Sequence, residues 1–188
     1  MNLVHRWICN SGPWRTTVEK RIIPWALAEL DLGTKVLEIG PGPGLTTDVL
    51  RGRITDLTCV EIDNAYAASL AARMAGKNVT VMCGDGTALP LASGSFAGVL
   101  CFTMLHHLGS PELQDRMLAE AARVLRPGGV FAGVDSLSSW IFRLLHVWDT
   151  MVVINPQTFP KRLETAGFEN VQVDLDERSF RFRARKPL

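Results

Sequence analysis

Apolar residues in this chain fall into two alternating rhythms. Short, nearly unbroken apolar runs cover residues 35–39, 57–61, 79–83, 96–102 and 130–134. Runs of that length without polar alternation predict strands buried on both faces. Between them, residues 45–51, 65–74 and 112–125 repeat apolar positions at helical spacing. Gly76 closes the second of these helices, and Pro127-Gly128-Gly129 stops the third. The alternation predicts a parallel sheet covered on both faces by helices. Right-handed crossovers then place a ligand at the carboxyl ends of the strands.

The flanks differ. Residues 16–30 predict a helix through Val18, Ile22, Trp25, Ala26 and Leu30, with Pro24 expected to kink it or start a new turn and Asp31-Leu32-Gly33 to end it. Residues 157–166 predict a helix that opens near Pro156 and stops at Gly167. Residues 171–175 and 180–184, joined by Asp176-Glu177-Arg178-Ser179, predict an antiparallel hairpin. The fold class is therefore α/β: a Rossmann-like three-layer sandwich with a mostly parallel seven-stranded sheet and an antiparallel C-terminal hairpin strand. One domain is expected over 1–188. It divides into a helical cap (1–34), a binding core (35–135), an insertion (136–155) and a last helix with the hairpin (156–188).

Composition narrows the function. At 188 residues the chain suits one domain, and 47% hydrophobic residues suffice for a globular core. A net charge of +1 argues against a nucleic-acid substrate. Cys9, Cys59, Cys83 and Cys101 form no CxxC pair and read as buried reduced thiols, with no metal site expected. The N-terminus has no apolar run suited to a signal peptide. Residues 137–154 are interrupted by Arg143, His146 and Asp149, which makes a poor membrane span. A cytoplasmic protein is the expectation.

The stretch from Val36 to Gly44 carries the chemistry. A strand runs into Gly40-x-Gly42-x-Gly44, a turn that leaves backbone N–H groups unpaired and lets a ligand approach the main chain. Leu45 stands where the last glycine of the dinucleotide fingerprint would fall, which weakens a nicotinamide-dependent reading. Glu38 weakens it further, because a carboxylate repels a pyrophosphate and suits a cationic ligand. S-adenosylmethionine carries both a sulfonium and an ammonium. Glu61 ends the second strand, about twenty residues on, where an acid binds ribose hydroxyls. Asp63 is an alternative there, though an N-cap for the next helix suits it better. Asp85, in Gly84-Asp85-Gly86, is placed to accept from an adenine amine or to serve as a turn aspartate.

Together with Val60-Glu61-Ile62-Asp63, Gly84-Asp85-Gly86-Thr87-Ala88-Leu89-Pro90, Ser95-Phe96-Ala97-Gly98-Val99 and Arg123-Val124-Leu125-Arg126-Pro127-Gly128-Gly129, this stretch resembles the class I S-adenosylmethionine-dependent methyltransferases. The closest subgroup is the small-molecule one that includes the quinone-biosynthesis (methyltransferase type 11) enzymes. The likeness covers roughly residues 35–134. It implies S-adenosyl-L-methionine as cofactor and S-adenosyl-L-homocysteine as product. It also implies roles: Glu38 near the methionine ammonium through water or backbone, and Gly40, Gly42 and Gly44 beneath the methionine and ribose. Glu61 would hold the ribose hydroxyls, Ile62 would pack on the adenine, and Asp85 and Gly86 would meet its edge. Phe102 and Thr103 would border the reacting methyl.

The acceptor is less legible. The Asn/Asp-Pro-Pro-Tyr/Phe motif of base-amino methyltransferases is absent after the fourth strand, where the chain reads Cys101-Phe102-Thr103-Met104. His106 and His107 follow; either is a candidate general base or a loop-shaping residue, with His107 preferred. All five tryptophans lie outside the cofactor motifs. Trp7 and Trp14, with a helical stripe of Trp140, Leu144, Trp148 and Met151, are candidates for an apolar or aromatic acceptor pocket. Core packing, or a homodimer surface, would explain the same stripe. Arg181, Arg183 and Arg185 alternate with Phe180, Phe182 and Ala184 and predict a solvated face rather than a phosphate patch. The leading function is methyl transfer to a small acceptor by in-line displacement. A non-catalytic S-adenosylmethionine-binding module serving a partner chain is the alternative, favoured by the short segment before the first strand. An NAD-dependent oxidoreductase is third.

Overall fold

The computed structural model describes residues 11–145 and 149–188; Trp7, Cys9, His146 and Trp148 lie outside them. Seven strands form one sheet: β1 (Lys35–Ile39), β2 (Asp56–Glu61), β3 (Val79–Cys83), β4 (Phe96–Phe102), β5 (Leu125–Ser136), β6 (Glu169–Leu175) and β7 (Ser179–Arg185). Their spatial order is β3-β2-β1-β4-β5-β7-β6. The first five run parallel, and β7 lies antiparallel between β5 and β6. The helices are α1 (Gly12–Thr17), α2 (Ile23–Leu27), α3 (Leu45–Leu50), α4 (Asn64–Met74), α5 (Pro111–Val124), α6 (Trp140–Leu145) and α7 (Phe159–Thr165). None of the described helices is long and apolar enough to cross a membrane.

Alternation along the strands sends side chains to two cores. In β1, Val36 packs into the core beneath α3 and α4, while Leu37 and Ile39 enter the opposite core beneath α5 and α7. β4 is buried along its whole length, as its unbroken apolar run requires. The hairpin is fastened by rings: Phe131 stacks on Phe168 at 5.2 Å, and Phe182 lies 4.9 Å from Phe131 and 5.2 Å from Phe159.

Four local features sharpen or change the expectations. Pro24 starts a new helical turn, one of the two outcomes expected of it. Val18–Ile22 winds as a π-helical turn, and Ile23 N–H donates to the Val18 carbonyl, five residues back. The wider turn lets the chain meet a proline that has no N–H to donate, and Pro24 then sits in the first turn of α2. Second, β5 begins at Leu125 rather than at residue 130. Leu125 pairs with Phe96, and a register shift follows before Gly98 pairs with Val130. Third, Cys59 and Cys101 are buried free thiols as expected, but Cys83 is exposed because β3 is an edge strand. Fourth, the arginine face of β7 is partly covered: Arg181 and Arg183 are half-buried, while Arg185 is exposed as expected. Arg181 and Arg183 both donate to the Trp25 carbonyl, Arg183 also to that of Ala26, and the Arg181 guanidinium lies 5.3 Å from the Trp25 ring. The cationic face of the hairpin thus satisfies the orphan carbonyls at the end of α2.

Candidate active site

The sheet reverses its order between β1 and β4, and a cleft of about 500 Å³ opens there at the strand ends. The glycine turn forms its floor. Gly40, Gly42 and Gly44 all have left-handed φ, of 68°, 55° and 83°. They do different work. A Cβ on Gly42 would meet no protein atom and would project into open space; Gly42 also lines the cleft. A Cβ on Gly40 would overlap Met104, so this glycine lets the turn after β4 close onto the floor. Gly44 does not line the cleft; its Cβ would overlap Leu70 and Arg73 of α4. Arg73 donates to the Pro43 carbonyl at 2.7 Å and pairs with Asp48, tying the turn to α4.

Three strand-end carboxylates occupy three different environments. Glu61 lines the cleft, 6% exposed, and its two oxygens accept the Gly42 N–H at 2.8 Å and the Asp63 N–H at 2.9 Å. Those bonds fix its direction and leave lone pairs for hydroxyl donors. Asp85 lies two residues beyond β3, on the cleft wall. One of its oxygens accepts from the Thr87 N–H and hydroxyl, so it is also the turn aspartate of this loop. Glu38 is different. Strand parity turns it to the face of Val36, beneath α3, and it is not among the cleft-lining residues. The Thr46 and Thr47 hydroxyls donate to it, with Cys59 Sγ at 3.5 Å. Burial pushes its carboxyl above the usual glutamate range; these hydrogen bonds oppose that shift, and nearby Glu61 adds to it. Of the Glu38 contacts, Thr46 reaches the cleft. Among the described residues, this hydroxyl is the link between the buried carboxylate and the cleft.

The remaining candidates divide. Ile62, Gly86, Phe102 and Thr103 line the cleft. Ile62 is 67% exposed, an apolar shelf beside Glu61 suited to a flat ring. Thr103 has φ 48°, rare for a β-branched residue, and its N–H donates to the Val134 carbonyl at 2.7 Å. Asp63 caps α4, accepting from the Ala65 and Tyr66 N–H groups. Trp14 reaches the cleft, as do His106 and His107. Trp140 and Leu144 do not: they are 75% and 62% exposed, and Phe142, on the opposite side of α6, lines the cleft instead. Met151 is half-buried and also stands outside the lining; Asp149 and Thr150 take that place. Their segment is anchored where the Val152 N–H donates to the His106 carbonyl at 2.8 Å, and where buried Gln114 donates to the Leu105 and Val152 carbonyls.

Sequence reasoning missed Asp135. It is 1% exposed, at the end of β5, and its carboxylate lies 2.5 Å from His106 Nδ1. The signal existed, since Asp135 follows the last apolar residue of a strand as Glu61 does. Thr46 was also missed; its position in the first turn of α3 marks nothing by itself.

The donor set fits S-adenosylmethionine. A carboxylate stands where ribose hydroxyls need acceptors, an exposed isoleucine offers a shelf beside it, and a glycine opens the floor. No group of His, Cys, Asp and Glu among the described residues could hold a metal. The sequence profile of the methyltransferase domain matches residues 37–133. A Mycolicibacterium smegmatis protein described as a probable S-adenosylmethionine-dependent methyltransferase is 32% identical over 148 residues, 76% of this chain and 55% of its own. A ubiquinone biosynthesis O-methyltransferase from Psychrobacter arcticus is 32% identical over 109 residues, 55% of this chain and 41% of its own. The chain thus spans about half the length of these curated relatives. In fold it is similar to the methyltransferase solved in complex with the Trm112 methyltransferase activator of Haloferax volcanii, with a TM-score of 0.76 at 17% identity over 100% of this chain and 99% of that one. With motifs, cleft and profile in agreement, the chain belongs to the methyltransferase-domain family, among the class I S-adenosylmethionine-dependent methyltransferases.

Proposed function

We propose that this chain transfers the methyl group of S-adenosylmethionine to a small acceptor with an apolar or aromatic body. One observation carries the reading: the cleft that holds Glu61 and Asp85 is also lined by Trp14, Val18, Ile22, Met104, Leu108 and Phe142, with His106, His107, Asp149 and Thr150 among its further polar groups. In this reading Glu61 accepts the ribose hydroxyls, Ile62 supports the adenine, and Asp85 and Gly86 meet its edge. Gly40 and Gly42 allow close approach of the methionine portion. The Thr46 hydroxyl, held by Glu38, stands on the same wall. The sulfonium supplies an activated methyl group. The protein's contribution is to align the acceptor and exclude water.

The test uses S-adenosylmethionine labelled in the methyl group and an extract freed of endogenous cofactor. Label should appear in small organic-soluble molecules. Label confined to RNA or to protein would overturn the small-acceptor reading.

A further inference from the structure

One aspartate of the cleft stands where the main chain can react with it. The sequence contains one Asp-Gly pair, Asp85-Gly86, and no Asn-Gly pair. The pair lies on the cleft wall just beyond β3, outside any helix or strand. Asp85 is exposed, and Gly84 and Gly86 flank it. A glycine after an aspartate leaves the next peptide nitrogen open to approach, because no Cβ shields it. The Gly86 N–H has no acceptor among the described residues. The Asp85 side chain is folded back along its own loop. One of its oxygens accepts from the Thr87 N–H at 2.8 Å and from the Thr87 hydroxyl at 2.9 Å. The ring closed by the first of these bonds runs through both the Asp85 carboxyl carbon and the Gly86 nitrogen, and so keeps them within one tight turn. Two donors on one carboxyl oxygen also stabilise negative charge that develops there during attack on the carbon. Other aspartates lack this combination. Asp135 is 1% exposed and Asp63 caps α4, and neither precedes a glycine.

We propose that Asp85 is a site of spontaneous isomerisation to isoaspartate, and that bound cofactor shields it. The shielding rests on the methyltransferase reading above, in which Asp85 and Gly86 meet the adenine edge. The Gly86 nitrogen attacks the Asp85 carboxyl carbon, and a C–N bond forms. One carboxyl oxygen departs as water, taking the amide proton and a second proton from solvent. The product is a succinimide, which water then opens. Opening at the side-chain carbonyl restores aspartate. Opening at the main-chain carbonyl sends the backbone through Cβ and leaves the former main-chain carbonyl as a free carboxylate. The water lost in the first step is regained in the second, and nothing is oxidised or reduced. The cleft wall is then longer by a methylene, and its carboxylate and the Gly86 N–H leave the places that meet the adenine. An adenine that accepts the Gly86 N–H holds the attacking nitrogen away. The empty chain therefore ages at this site, and the loaded chain is protected.

The experiment incubates the purified chain for weeks at neutral pH, empty or saturated with S-adenosylhomocysteine. Digestion with a protease that cleaves before aspartate but not before isoaspartate, followed by fragmentation mass spectrometry, reads the linkage at residue 85. Isoaspartate should form at Asp85 in the empty chain about tenfold faster than at Asp63 or Asp135, and saturation should slow it by about tenfold. The isomerised fraction, separated by chromatography, should bind S-adenosylhomocysteine at least about tenfold more weakly than the fresh chain. Asp85→Glu, whose longer side chain does not form a succinimide, should keep its own starting affinity over the same incubation. Aspartate retained at residue 85 in the empty chain, or isomerisation at equal rates with and without bound S-adenosylhomocysteine, would overturn the inference and leave the cofactor reading standing. A fresh chain that binds no S-adenosylhomocysteine would overturn the cofactor reading and the shielding together, while the linkage at residue 85 in the empty chain still decides the isomerisation.

Discussion

The two walls of the cleft are built by different physics. On the cofactor wall, Glu61 and Asp85 stand at strand ends, Gly40 and Gly42 form a turn, and the N–H groups of Gly42 and Asp63 hold the Glu61 carboxylate in place. On the side we propose for the acceptor, side chains arrive from α1 and the π-helical turn, from the residues after β4, and from α6 with the segment behind it. The first wall has a position-by-position grammar, because backbone geometry restricts which residues fit. The second needs only apolar bulk from the right direction, and many sequences supply that. A wall of the first kind recurs among proteins that share a cofactor, whereas one of the second kind can change with the acceptor.

The comparison can be broken by substitution. Glu61→Ala should produce the largest effect, weakening S-adenosylmethionine binding by about 1.5–3 kcal/mol for a lost charged hydrogen bond. Calorimetry reads it directly, and unchanged affinity would place the ribose elsewhere. Next come two glycines with the same backbone hand. Gly44→Ala should lower unfolding free energy by about 1–3 kcal/mol, because its Cβ overlaps Leu70 and Arg73. Gly42→Ala should cost only the left-handed backbone penalty of about 1–2 kcal/mol and lose more in ligand affinity, because Gly42 lines the cleft and its Cβ would meet no protein atom. Equal losses of stability and affinity at both positions would erase the distinction between packing and ligand glycines. Chemical denaturation beside calorimetry separates them.

Glu38 gives a smaller, pH-dependent effect. Its folded pKa is raised, mainly by burial, so the protonated form is the one the fold prefers. Stability from this group is full below the ordinary glutamate value and falls as pH rises through the raised one. Glu38→Gln should flatten the melting temperature over that interval, and an unaltered slope would assign the dependence to another group. Smallest of all, Phe142→Ala should leave S-adenosylmethionine affinity within about twofold, since the proposed function sets Phe142 against the acceptor. A tenfold loss would mean that the walls do not divide the two ligands.

What the sequence discloses follows the same division. The succession of strands and helices, the glycine turn and the Asp63 cap were legible because period, glycine position and capping chemistry each leave a local mark. Pro24 was legible as a disturbance, but the π-helical turn that absorbs it depends on the packing of Val18 and Ile22 into the core. Asp135 escaped because the apolar run ends one residue earlier, and its partner, 29 positions away, is brought near only by the pairing of β4 with β5. The stripe of Trp140 and Leu144 pointed to the opposite side of α6 from Phe142. Spacing identifies one face of a helix without saying which face meets a ligand.

The most direct test of the central claim is titration calorimetry of the purified chain with S-adenosylmethionine, repeated with Glu61→Ala and with NAD as the competing ligand. The account predicts saturable binding of S-adenosylmethionine by the wild type, weakened by about tenfold or more in the variant, and no NAD binding. Tight NAD binding without S-adenosylmethionine binding, or affinity for S-adenosylmethionine that ignores Glu61, would contradict it.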